Sequence, residues 1–122
     1  MTVRVAIVGS GPSGFYTADA LLRSDGDYEI DIIDRLPTPF GLIRAGVAPD
    51  HQKTKNVSRA YEKTALNEKV AYFGNVDIGK DVSVDELQSL YDAVVLAIGS
   101  PYDRKLGVPG EDKKGVFGSA DF

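Results

Sequence analysis

Apolar residues fall into runs of two kinds along this chain. Val3–Val8 (VRVAIV) and residues 93–98 (AVVLAI) are short and apolar almost throughout, and Tyr28–Ile33 (YEIDII) ends in such a run. Their length and β-branched content predict strands buried on both faces of a parallel sheet. Between the first and second, over about 13–23, the spacing turns helical, with Ala18, Leu21 and Leu22 on one face. Strand, glycine-rich turn, helix and strand within about 30 residues make a βαβ unit. A second helix is expected over about 52–66, where Val57, Ala60, Tyr61, Thr64 and Ala65 share a face. Residues 70–79 (VAYFGNVDIG) predict one strand, or two short ones broken near Gly74 and Asn75. Ser83 and Glu86 have capping-box spacing and open a short helix to about Leu90.

Residues 35–50 (RLPTPFGLIRAGVAPD) follow neither period and hold three prolines and two glycines. A long aperiodic stretch between two clear elements points to function. Its apolar members, Leu36, Phe40, Leu42, Ile43 and Val47, suit a rigid wall for a flat ligand better than a plain surface loop. The expected fold class is therefore α/β: a Rossmann-like dinucleotide-binding βαβ fold with a mainly parallel sheet, one domain over residues 1–122. About three helices are few for covering both faces of such a sheet. An incomplete sheet edge and a truncated domain are expected.

Composition narrows the chemistry. The chain has 122 residues, enough for one core, and no cysteine, which excludes disulfides, thiol chemistry and iron–sulfur ligation within it. The one histidine, His51, and scattered carboxylates make a poor zinc set, so no metal site is expected. A net charge of −4 argues against a broad nucleic-acid footprint. No apolar run reaches membrane-spanning length. The chain enters a strand-like run at once, without a signal- or transit-peptide pattern, so a cytoplasmic location is the expectation.

Gly9-Ser10-Gly11-Pro12-Ser13-Gly14 fits G-x-G-x-x-G, after a buried strand and at a helix start, the context that gives the pattern meaning. Gly9 permits the tight turn, Gly11 lets a pyrophosphate reach the backbone, and Gly14 lets helix and strand approach closely. The helix N-terminus, with Pro12 and Ser13, faces the phosphates. Asp34 stands about 20 residues after the last glycine, where a carboxylate accepts from ribose hydroxyls and repels a 2′-phosphate; Arg35 follows it. This fingerprint leaves FAD and NAD open. Arg44, Lys53, Lys55 and Arg59 form a basic cluster in an acidic chain, either a docking face or a solvated helix face.

The strings GSGPSGFYTADAL at 9–21, PTPFGLIRAGVAPDH at 37–51 with Lys55-Asn56-Val57, FGNVDIGKDVSVDEL at 73–87, YDAVVLAIGS at 91–100 and LGVPGED at 106–112 closely resemble ferredoxin–NADP⁺ reductases of the adrenodoxin-reductase type. The resemblance runs over essentially the whole chain. Ser13 stands where alanine is frequent, and Asp34 where glutamate is frequent. It implies FAD in an extended conformation, with Gly9, Gly11, Ser13 and Gly14 along the pyrophosphate and Asp34 on the adenosine ribose. Gly41 and Leu42 would pass along the flavin side, Ile78 would meet the adenine end through its main chain, and Gly99 would end the late strand beside the cofactor. His51 would lie toward the flavin, either relaying a proton or simply starting a helix. The resemblance also implies NADP(H) as co-substrate through a domain absent from this chain, and a ferredoxin as partner, for which the basic cluster would be the face.

Related flavoenzymes are the rivals. The glutathione-reductase branch needs a redox disulfide early in its chain, which zero cysteines exclude. The thioredoxin-reductase branch is disfavoured only by residues 37–56. The glutamate-synthase small-subunit type shares the fingerprint and the Val-Pro-Gly-Glu-Asp-like turn. A nucleotide-binding module without turnover is the non-enzymatic alternative.

Overall fold

The computed structural model describes residues 1–121. Strand β1 (Val3–Val8) leads into helix α1 (Pro12–Arg23) and strand β2 (Tyr28–Ile33). Three short helices follow: α2 (Leu42–Ala45), α3 (Gln52–Lys55) and α4 (Ser58–Ala65). Strand β3 (Val70–Phe73), helix α5 (Val84–Leu90) and strand β4 (Ala93–Leu96) complete the set. The four strands form one parallel sheet in the order β3-β2-β1-β4.

The near-continuous apolar character of β1 is explained by its central place. Val5 and Ile7 face a cluster with Phe15, Ala18, Ile30, Ile32, Phe40 and Tyr61, on the side of α1 and α4. Ala6 and Val8 face the other way, against Ile33 and Leu87 of α5. Alternation along one strand thus feeds two cores. Aromatic rings fill the first: Phe15 stacks on Tyr61 at 5.2 Å between centroids, and Phe40 tilts against Phe15 at 5.4 Å. The capping box of α5 is complete, with Ser83 Oγ accepting from Glu86 N–H at 3.1 Å and Glu86 Oε2 accepting from Ser83 N–H at 2.8 Å.

Three expectations change. The helix expected over 52–66 is two helices: Asn56 and Val57 stay right-handed, but the bonds tighten to Arg59 N–H on Asn56 C=O and Ala60 N–H on Val57 C=O, the i→i+3 pattern. The aperiodic stretch 35–50 contains the single turn α2. Of the two readings for 70–79, the break near Gly74 and Asn75 is found: β3 ends at Phe73, Asn75 turns left-handed at φ 60, and beyond it Ile78 makes a single bridge to Val82. The late strand stops at Leu96 and is not buried on both faces. It pairs with β1 alone, and Leu96 and Ile98, 60% and 68% exposed, line a cavity instead of packing beneath a helix. Among the described residues no helix is long and apolar enough to cross a membrane.

Tyr91, at the end of α5, ties that helix to the sheet by donating its hydroxyl to Asp31 at 2.6 Å. Burial, and then the Asp31 carboxylate, push the phenol up to about 12. An unfolded tyrosine ionises near 10. The raised folded value means that this contribution is intact below pH 10 and is lost as the pH climbs from there toward 12. Tyr91→Phe should cost about 1 kcal/mol at neutral pH. Urea unfolding at a series of pH values should also show a smaller alkaline loss of stability in the variant than in the parent.

Candidate functional site

The site is assembled where the carboxyl ends of β1, β2 and β4 meet. Here the chain leaves β1 toward strands on opposite sides, the position where open α/β sheets bind ligands. A cavity of about 570 Å³ opens there, lined among others by Gly9, Asp34, Arg35, Ile78, Ile98 and Gly99.

The three fingerprint glycines do different work. Gly9 has φ 111, and a Cβ on it would stand 2.1 Å from the Ala97 carbonyl oxygen. A Cβ on Gly14 would stand 2.1 Å from the Gly9 carbonyl oxygen. Both are required by the protein's own backbone contacts. Gly11 is not: its backbone is extended, and a Cβ there would meet nothing within 4 Å. The space beside Gly11 is open, which is what an approaching ligand needs. Gly11 caps α1 without a side chain and Pro12 has no N–H, so the first-turn N–H groups of Ser13 and Gly14 lack intrahelical acceptors. They form a ready anion site at the positive end of the helix dipole.

Asp34 ends β2, half-buried on the cavity wall. Its Oδ2 accepts from the N–H of Ser10 at 2.9 Å and from the Ser10 hydroxyl, and its Oδ1 accepts from Leu36 N–H at 2.9 Å. Tyr72 closes the loop by donating its hydroxyl to Leu36 C=O at 3.0 Å. Burial is the main cause that raises the Tyr72 phenol above its ordinary value, so it acts as a neutral donor.

The loop after Asp34 is anchored on the glycine turn. Phe40 N–H donates to Ser10 C=O at 2.9 Å, and Gly41 passes so close to Gly11 that a Cβ on it would lie 3.0 Å from the Gly11 Cα. Phe40 holds φ 89, a strained value for a residue with a side chain. Its ring, buried against Phe15 and Tyr61, over-determines that conformation. Arg44 adds to it: Nε donates to Pro39 C=O at 3.0 Å, and the guanidinium sits 5.1 Å from the Phe40 ring centroid.

Of the residues singled out from sequence, Gly9, Asp34, Arg35, Ile78 and Gly99 meet at the cavity, with Gly11, Pro12, Ser13, Gly14 and Gly41 at the adjoining turn and helix start. Leu42 is exposed at the start of α2. His51 is exposed at the start of α3 and makes no side-chain cap. The basic cluster divides. Arg44, though exposed, and the half-buried Lys55 donate to loop carbonyls, Lys55 Nζ to Ile43 C=O at 3.3 Å, while Lys53 and Arg59 are exposed. Sequence reasoning missed Ser10 and Tyr72. The available signal for Ser10 was a hydroxyl between two fingerprint glycines, next to the strand that ends in the acid.

A parallel sheet with a glycine turn, a free helix N-terminus and an acid closing the second strand defines a dinucleotide-binding protein. The chain belongs to the pyridine nucleotide-disulphide oxidoreductase family, which matches residues 3–121. It is 52% identical over 119 residues to the mitochondrial NADPH:adrenodoxin oxidoreductase of Salvelinus fontinalis, covering 98% of this chain and 24% of the relative. It is 48% identical to the NADPH-ferredoxin reductase FprA of Mycobacterium tuberculosis, covering 97% of this chain and 27% of the relative. The structure of that organism's FprA in complex with NADPH superposes with a TM-score of 0.90 at 46% identity, over 98% of this chain and 28% of that one. The chain therefore spans about a quarter of the length of these relatives.

Gly9→Ala and Gly14→Ala should each destabilise the protein by several kcal/mol, since each forces backbone apart and Gly9 adds a disfavoured φ. Gly11→Ala should leave thermal unfolding of the ligand-free protein unchanged. Differential scanning calorimetry of the three variants tests this ordering.

Proposed function

We propose that this chain forms the adenosine- and pyrophosphate-holding part of the FAD site in a flavoprotein that moves electrons between NADPH and a ferredoxin-type protein. The observation that carries the reading is the open space at Gly11, beside a helix start with free N–H groups and a cavity whose wall holds Asp34. The similarity to reductases named for NADPH and for adrenodoxin or ferredoxin supports the electron route.

The residues fit the group. Ser13 and Gly14 N–H groups, with the α1 dipole, would bind the pyrophosphate. Asp34 would accept from an adenosine ribose hydroxyl, and the same charge would turn away a 2′-phosphate. Ile78, Ile98 and Gly99 would wall the adenine end and exclude water from it. The anchored turn from Phe40 to Leu42 would give the flavin a stiff apolar neighbour. FAD, when bound, supplies the hydride and single-electron chemistry. The chain's own work is to bind, orient and exclude water.

Lys53 and Arg59 are exposed members of the basic cluster, and we assign to them the electrostatic steering of an acidic partner. Arg44 and Lys55 serve the loop instead.

The protein, expressed at its full natural length, should purify yellow and reduce a ferredoxin at the expense of NADPH. A colourless protein whose cavity takes NAD or ADP-ribose and rejects FAD would defeat the proposal. Gly11→Ala should lower FAD affinity by about a hundredfold, or ~3 kcal/mol, measured by flavin fluorescence on the apoprotein. Lys53→Glu with Arg59→Glu should raise the KM for ferredoxin and flatten its salt dependence. Reduction of a small neutral dye by NADPH should not change.

A further inference from the structure

Position 10 is a free position of the glycine fingerprint, yet Ser10 is completely buried. Every polar group it owns is engaged. Its N–H and its hydroxyl both donate to Asp34 Oδ2, and its carbonyl accepts from Phe40 N–H. An ionised carboxylate offers about four lone-pair sites. Ser10 takes two, both on Oδ2, and Leu36 N–H takes one on Oδ1. The capacity that remains is on Oδ1, on a residue that lines the cavity.

Aspartate is short, and on the rim of an open cavity its carboxylate would otherwise sample several rotamers. Hydrogen bonds to a charged acceptor are about twice as strong as neutral ones. Two of them, from one buried and immobile residue, select one rotamer. A backbone N–H alone would hold Oδ2 at a single point, and the hydroxyl adds the second.

We infer that Ser10 is a positioning residue for the ribose subsite, acting through Asp34 and fixing which carboxylate oxygen is left for the ligand. This rests on the reading of Asp34 as the ribose acceptor, and goes beyond it by naming the group that sets its geometry. The same residue carries the Phe40 bond on its carbonyl, so the adenosine end and the flavin-side loop are referred to one buried backbone unit.

The test is a double-mutant cycle on the full-length apoprotein, titrated with FAD and followed by flavin fluorescence. Asp34→Ala should weaken FAD binding by about tenfold or more. Ser10→Ala should weaken it by about tenfold with Asp34 present and by less than about twofold in the Asp34→Ala background. A similar loss in both backgrounds would mark Ser10 as a packing residue and overturn the inference, leaving the role of Asp34 intact. Wild-type affinity in Asp34→Ala would overturn that role and the inference together. Should Ser10→Ala fail to fold, Ser10→Cys, close in volume but a weak donor, runs the same cycle with the same readings.

Discussion

Three parts of this molecule are built outward from one backbone contact. At Gly9 the chain turns with φ 111, and its carbonyl comes so near Gly14 that no side chain fits between them, while its own Cα lies against Ala97. That contact sets α1 on β1, β4 on β1, and the free end of α1 toward the mouth of the sheet. Hydrophobic burial supplies the energy in both cores, but it is not directional. The backbone approach decides where the buried elements end, and hence where a cavity is left.

Strain elsewhere is held by packing. Phe40 occupies a backbone region that costs about 1–3 kcal/mol for a residue with a side chain. The ring is locked among Phe15, Tyr61 and Arg44, and its N–H is fixed to Ser10. Aromatic pairs of this kind contribute about 0.5–1.5 kcal/mol each beyond their buried area, so the cluster is large enough to offset the conformation. The loop is aperiodic in sequence because its shape is dictated by contacts with α1 and α4, not by a repeating backbone.

Much of the fold was legible from residues alone. β1 and β2 have the expected bounds, α1 begins one residue early, and the Ser83–Glu86 box caps α5. These are the elements whose periodicity and caps are local. What was not legible depended on distant partners. β4 reads as buried because its residues are apolar, but Leu96 and, just beyond the strand, Ile98 face a cavity instead of a packed helix. The break at Asn56 and Val57 has no proline or glycine to announce it. The glycines and Asp34 were legible because their spacing reflects the geometry of one βαβ unit. Ser10 was not, since its importance comes from a hydroxyl directed at the next strand.

The strand order has a consequence for how the molecule forms. β1, β2 and β3 come from the first 73 residues, and β1 and β2 are joined by a single helix. β4 must return to β1 from far along the chain; the Arg4 N–H bond to Asp92 Oδ2 spans 88 residues. Loop-closure entropy grows only slowly with length, but non-local pairings are the slow ones to find. Three strands and the aromatic core can therefore gather while one wall of the cavity is still missing. Gly9 reaches its final environment only when Ala97 arrives. The aromatic core thus draws on Phe15, Phe40 and Tyr61, whereas the cavity wall at Leu96, Ile98 and Gly99 depends on a strand brought back from far along the chain.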